Sequence, residues 1–279
     1  MTEKAPPPNK GLWKPPMVRG RYETSVGGIV SMLVGRAADI PLQYALFKKG
    51  YALSALVKVG LMQPSEIGNA ALTTGPGIGG LGPIPTLLLG MYTVGSLRHA
   101  YWVTRTNTMY FGPSGGAIVS LYNTFMNTAN TLVAAYTTSH LAQVVTNVTY
   151  ADSFGGWAAS LGWQQWVGLA LFASGITIEM YSEETRKAFK KDPRNKGKVD
   201  DTGLFGIVRH PNYLGYTLWR TGASLATGSV PAALVTLCFQ VFQFASAIPH
   251  LAAHMAAKYG QQWRDYEDRV QYKVIPGVY

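Results

Sequence analysis

Long uncharged apolar blocks alternate with short polar joints along most of this chain. A block of about twenty apolar residues has the length of a membrane-crossing helix. The pattern predicts such helices over Ser25–Phe47, Thr86–Val103, Gly115–Thr138, Trp157–Tyr181, Tyr213–Thr227 and Pro231–Ile248. A further apolar run, Tyr51–Met62, is short and interrupted by Lys58. It reads as a re-entrant or interfacial segment, or as a tilted span. The expected fold class is therefore all-α: a polytopic membrane helical bundle with about six to seven transmembrane helices. Six spans put both termini on the cytoplasmic side, and a seventh moves the N-terminus across. Residues 73–85, rich in Gly and Pro, read as a loop, and their glycines follow no strand, so they make no dinucleotide fingerprint. Gly228-Ser-Val-Pro231 separates the last two blocks into a hairpin, with Ser229 as the cap.

Polar residues inside the apolar blocks mark where one helix must meet another or line a cavity. Arg36 and Asp39 share one helical face in the first block. Asn123, Asn127 and Asn130 form a stripe at i, i+4 and i+7. Amides in hydrocarbon need partners, so the stripe either binds neighbouring helices or lines a substrate or cofactor cavity. Arg220 is costly in its block unless paired. The run Arg98, His99, Tyr101, Trp102 at a block end has the composition of an interfacial anchor.

Composition sharpens this picture. Hydrophobic residues make up 47 % of the 279 residues and charged residues 14 %, and the formal charge is +10. The basic residues gather in joints and at the ends, a pattern of membrane topology and of an anionic cofactor. No groove-reading motif accompanies them, so nucleic acid is not an expected partner. The single cysteine, Cys238, excludes an internal disulfide and reads as packing. Residues 1–24 form a polar, proline-rich tail without the apolar core of a signal peptide. Residues 139–156 are nearly free of Lys and Arg and carry the sequon Asn147-Val-Thr149, which places them on the non-cytoplasmic side. The segment Ala256–Tyr279 alternates aromatic and basic residues. It is an amphipathic piece expected to fold back over residues 186–212.

The densest chemistry lies between Glu179 and Tyr216. Arg186, Lys187, Lys190, Lys191, Arg194, Lys196, Lys198 and Arg209 stand there against a few carboxylates. Such a stretch beside an apolar helix suits anionic lipid headgroups or a phosphate-bearing cofactor. Its tail, Arg209-His-Pro-Asn-Tyr213-Leu-Gly215, adds a guanidinium fork, a helix-starting proline, an amide and a flat ring with a polar tip. Arg209, Asn212 and Tyr213 make a polar doorway to an apolar helix.

This stretch and the ending Lys258-Tyr-Gly-Gln-Gln-Trp-Arg-Asp-Tyr266…Ile275-Pro-Gly-Val-Tyr279 resemble the C-terminal domain of the steroid 5-alpha-reductase family, in the branch of domain of unknown function 1295. The ending also looks like that of fungal sterol reductases. The resemblance covers residues 175–279 and implies three parts: the tail 1–24, N-terminal transmembrane helices 25–174, and a reductase-like domain 175–279. It implies NADPH as cofactor and a steroid or other lipid substrate, with hydride transfer to an activated carbon–carbon double bond. By the family pattern Glu183, Lys190, Lys198 and Asn212 fall on cofactor-binding positions. The proton donor falls in the N-terminal half, where Tyr92 and Tyr101 are the candidates. The endoplasmic reticulum is the implied membrane, with a mitochondrial membrane as the alternative. The chain departs from the family where Tyr216 replaces a glutamate, and at Ala247 and Met255. Two rival readings follow: an S-adenosylmethionine-dependent membrane methyltransferase, whose Arg-His-Pro-x-Tyr-x-Gly pattern is shared, and a catalytically silent accessory protein of the same fold.

Overall fold

The computed structural model describes residues 17–18, 21–66, 75, 77–144 and 154–279. The proline-rich start of the chain and the sequon at Asn147 lie outside them. Among the described residues the protein is built of nine α-helices and one two-residue strand pairing. The helices are α1 (Val26–Lys48), α2 (Tyr51–Lys58), α3 (Pro83–Tyr101), α4 (Pro113–Val144), α5 (Phe154–Ala159), α6 (Trp163–Lys191), α7 (Pro211–Leu225), α8 (Val230–Tyr259) and α9 (Gln261–Arg269). The strands, β1 (Met17–Val18) and β2 (Tyr110–Phe111), pair antiparallel.

Local chemistry sets the helix ends. Ser25 caps α1 by accepting from the Gly28 N–H, and Ser229 caps α8 by accepting from the Ala232 N–H. Pro83 and Pro85, expected in a loop, instead open α3, where a missing N–H is harmless. Tyr51–Met62 yields only α2. At 1.5 Å per residue it is about 12 Å long, far short of the hydrocarbon core of about 30 Å. Ala52, Leu53 and Leu56 pack it into the main core beside Phe47, so it is neither a tilted span nor a free interfacial piece. The main surprise is α6. It does not stop near Tyr181 but carries the first half of the cationic stretch as helix to Lys191.

Helices α6 and α7 make the most extensive contact in the bundle, and α1 packs along α4. Glycines set the α6–α7 distance. Gly168 and Gly175 on α6 face Gly222 and Gly215 on α7. A Cβ on Gly215 would lie 2.6 Å from the Glu179 nitrogen and 2.7 Å from the Gly175 oxygen.

The side chains are distributed inside out relative to a water-soluble bundle. On α4, Leu121 and Phe125 are 70 % and 69 % exposed, whereas Asn123 and Asn127 are 1 % and 4 % exposed. Val235 and Phe242 on α8 are likewise exposed, and Arg36, Asp39, Gln43 and Arg220 are buried. One helix, α8, is long and apolar enough by length and composition to cross a membrane. Among the described residues the expected count of six to seven spans therefore reduces to one clear candidate. Its chemistry also corrects the reading of Cys238, which is exposed on α8 and not packed.

The asparagine stripe binds helices. Asn127 donates to Asp39 at 2.7 Å, Asn130 accepts from Ser224 at 2.7 Å, and Asn123 accepts from Arg220. Asp39 also takes Arg36 at 2.9 Å and Gln43 at 2.9 Å, so that with Asn127 a buried polar network joins α1 to α4. Arg220 is held by Asn123, the Tyr216 hydroxyl and the Trp219 ring, whose centroid lies 4.1 Å away.

Candidate functional site

The C-terminal segment folds back over residues 186–212, as its amphipathic pattern implies. Gly260 turns the chain at φ 57°, a left-handed conformation that favours glycine. From α9, Tyr266 donates to the Phe205 carbonyl at 2.8 Å, and Arg269 pairs with Asp201 at 2.6 Å. The Val199 N–H donates to Gln262 at 2.7 Å. Beyond α9, the carbonyls of Tyr272 and Lys273 accept from the Arg209 and His210 N–H groups at 3.0 and 2.8 Å. Arg209 is also paired with Glu267.

This closure leaves a cleft of about 460 Å³, its open mouth included, between the end of α6, the 198–210 loop, the end of α8, and α9. Arg186, Lys190, Lys198 and Arg209 supply its positive charge, and Phe205, Tyr259, Trp263 and Tyr266 its flat walls. The cleft strains its own cations. Burial first, then Arg186 and Lys258, push the Lys190 ammonium down to about 8. Burial first, then Arg209 and Arg186, push His210 down to about 4, so its ring is neutral at pH 7. Asp200 Oδ2, Arg209 Nε, His210 Nε2 and Trp263 Nε1 are four of the buried polar atoms that have no hydrogen-bond partner among the described residues. All four belong to residues that line the cleft. Unsatisfied groups are expensive, and the donors among them, Arg209 Nε and Trp263 Nε1, fit a polar, anionic ligand.

The His210 shift gives a stability prediction. The unfolded histidine titrates near 6.5 and the folded one near 4, so the unfolded chain binds more protons between those values. Stability contributed by neutral His210 is present above pH 6.5 and is lost as pH falls toward 4. The full loss is about 3 kcal/mol. Denaturant unfolding at pH 7, 5.5 and 4.5, for wild type and His210→Phe, reads this as a flatter pH dependence in the variant. Parallel curves would show that His210 carries none of it.

A second, smaller cleft of about 180 Å³, its open mouth included, lies between α3 and α6, lined by Arg98, Tyr101, Trp102, Thr106, Glu183 and Glu184. A π-helical turn, Trp102–Thr106, forms part of its wall. Behind it Arg98 pairs with Glu179 at 2.6 Å and Glu183 at 3.6 Å, and the Trp219 indole donates to Glu179 at 2.8 Å. Arg98 and His99, expected as interfacial anchors, are thus turned into the bundle and buried. The cause is Glu179 and Glu183, about eighty positions later in sequence, which draw the arginine inward.

The residues singled out from sequence divide between these places. Lys190, Lys198 and Arg209 meet in the cationic cleft. Glu183 and Tyr101 line the smaller cleft, where Tyr101 is partly exposed. Tyr92 lies deep in the core, accepting from Thr131 at 3.5 Å. Asn212 and Tyr213 start α7, and Tyr213 stacks between His210 and Phe244 at 5.1 and 4.2 Å. Tyr259, Trp263 and Tyr266, expected only as part of an amphipathic segment folded back over residues 186–212, and Asp200, given no role from sequence, also line the cationic cleft.

Fold and site together define a helical protein of the steroid 5-alpha-reductase-like class. The family model of proteins of unknown function DUF1295 matches residues 85–270, and the chain belongs to that family. It is 28 % identical over 258 residues to a probable O-methyltransferase, ustE, of Ustilaginoidea virens, covering 88 % of this chain and 84 % of that protein. It is 28 % identical over 161 residues to 3-oxo-5-alpha-steroid 4-dehydrogenase 2 of Homo sapiens, covering 57 % of this chain and 58 % of that one. It is 37 % identical over 82 residues to a Delta(14)-sterol reductase of Mus musculus, covering 28 % and 19 %. The chain thus spans less than two thirds of the length of either reductase.

Proposed function

We propose that the protein is an integral-membrane, NADPH-dependent reductase of a carbon–carbon double bond in a steroid or other lipid. The observation that carries this reading is the cationic cleft, with its four basic side chains and its unpartnered buried polar atoms. Arg186, Lys190, Lys198 and Arg209 would hold the cofactor phosphates, and the aromatic walls would take its flat parts. When bound, NADPH supplies the hydride. Asn212 and Tyr213 lie in the first turn of α7, just after the cleft residue His210, and would approach the cofactor from there. In the smaller cleft Glu183 is positioned by Arg98, and Tyr101 is the candidate acid for a substrate oxygen; Tyr92 is the alternative donor, deeper in the bundle. The apolar outer face and α8 support a membrane setting. About six or seven crossings, the division into 1–24, 25–174 and 175–279, and the endoplasmic reticulum or a mitochondrial membrane belong to this reading.

One observation favours a second reading, an S-adenosylmethionine-dependent methyltransferase. The similarity to the probable O-methyltransferase runs along 88 % of the chain, further than that to either reductase above. The deciding measurement is ligand-dependent melting of the detergent-purified protein with NADPH and S-adenosylmethionine in parallel. NADPH at a hundred times its Kd is expected to add about 2.7 kcal/mol of stability. Lys190→Ala and Lys198→Ala are expected to remove most of that gain. Because free Lys190 titrates near 8, the gain is expected to shrink as pH rises past that value. A gain with S-adenosylmethionine alone selects the methyltransferase. No gain with either, in folded protein, selects an accessory role.

A further inference from the structure

We propose that Asp200 and Trp263 form a base-reading pair that selects adenine in a nucleotide bound at the cationic cleft. The inference rests on the nucleotide reading of that cleft. It belongs to the NADPH arm of that reading, since S-adenosylmethionine carries no phosphate for the cations to hold.

Asp200 is an anomaly in its setting. One oxygen, Oδ1, accepts from the Thr202 N–H at 3.2 Å and the Thr202 hydroxyl at 2.8 Å. The other, Oδ2, is buried without a partner among the described residues. Its neighbour Asp201 is already engaged by Arg269. A carboxylate repels phosphate, so Asp200 is not part of the anion-holding set around Lys190 and Lys198. It is an acceptor that waits for a donor.

Trp263 supplies the complement. It is 2 % exposed, and its indole N–H, which can only donate, has no partner among the described residues. The two residues are brought together from far apart in sequence. Val199 packs against Trp263, and the Val199 N–H is held by Gln262 at 2.7 Å. Asp200 and Trp263, each with one unpartnered buried atom, therefore line one cleft together with Tyr259 and Tyr266. The amino edge of adenine offers the matching pattern: an exocyclic N–H donor next to a ring-nitrogen acceptor. Its faces suit aromatic walls. Hypoxanthine and guanine carry an oxygen where adenine has the amino group, and would set a lone pair against the carboxylate.

The test compares adenosine 2′,5′-bisphosphate with inosine 2′,5′-bisphosphate, which share their phosphates and differ at the amino position. Dissociation constants are measured by calorimetry on the full chain in detergent. Wild type is expected to prefer the adenosine compound about tenfold or more. Asp200→Asn keeps the acceptor for Thr202 and the side-chain volume, and is expected to abolish or reverse the preference with an unchanged ligand-free melting temperature. Trp263→Phe is expected to weaken the adenosine compound by about tenfold and the inosine compound less. Equal binding of both compounds by wild type, or an intact preference in Asp200→Asn, overturns the base-reading pair while leaving the cleft as a nucleotide site. Binding of neither compound overturns the cleft reading, and this assignment with it.

Discussion

Arg98→Met is expected to destabilise the protein by about 3–5 kcal/mol. The guanidinium side chain is 7 % exposed and that of Glu179 is 6 % exposed, and they meet at 2.6 Å. Glu183, at 3.6 Å, shares the same cation. Removing Arg98 leaves two carboxylates one helical turn apart in the interior, with only the Trp219 indole still donating to Glu179. An isolated buried charge costs far more than a buried pair returns, so the damage comes from the survivors. The pairing therefore predicts its own rescue. Arg98→Met combined with Glu179→Gln is expected to recover a large part of the loss, since two contacting sites do not add. Denaturant titration of the single and double variants in mild detergent reads both effects. A single variant within about 1 kcal/mol of wild type would remove Arg98 from its place in the interior.

The second large effect is expected from a single methyl group. Gly215→Ala places a Cβ 2.6 Å from the Glu179 nitrogen and 2.7 Å from the Gly175 oxygen. Both are backbone atoms, so no rotamer change relieves the contact, and α6 and α7 must separate. Overpacking of this kind costs about 1–3 kcal/mol, and a backbone-limited case belongs at the top of that range. Separation also moves Glu179 relative to Arg98, which couples this site to the first. Gly90→Ala is the control. It lies in α3 with open space around the new Cβ, and alanine there is expected to gain up to about 1 kcal/mol from helix propensity. Melting temperatures that fall for Gly215→Ala and hold or rise for Gly90→Ala support the crossing; the reverse order would sink it.

The helices and their caps were legible in the sequence because they depend on local patterns. Ser229 was legible as a cap, and the apolar blocks marked which stretches are helical, though α6 and α8 run well past the predicted ends. The fold-back of the C-terminal segment was legible too, since its aromatic and basic alternation needs a partner surface. The misread points share one cause, a side chain whose orientation is decided by a distant residue. Arg98 and His99 beside Tyr101 and Trp102 match an interfacial belt until Glu179 is known to face them. The continuation of α6 to Lys191 did have a local signal. Glu184 and Lys187 stand at i, i+3 and pair at 3.6 Å, as on a helical surface. Cys238 shows the opposite limit: hydropathy marks a residue as apolar but does not say whether protein or another medium covers it. Within the candidate site, the cations were visible as a cluster. Asp200 and Trp263 were not, because an unsatisfied atom exists only once its surroundings are built.

The hydrogen bonds from Arg209 and His210 to the Tyr272 and Lys273 carbonyls bear on how the protein is made. The cationic end of α6 leaves the ribosome long before the segment that roofs it. Until Tyr266 reaches the Phe205 carbonyl, 61 positions back, the nascent chain displays a basic patch with no enclosing wall. A fragment that stops before α9 would have the charges of the cleft but not its shape. It would hold polyanions loosely and without discrimination, whereas the longer chain has a walled cleft. On the proposed cofactor reading, ligand binding is expected to follow synthesis of α9, whatever the order in which the upstream helices pack.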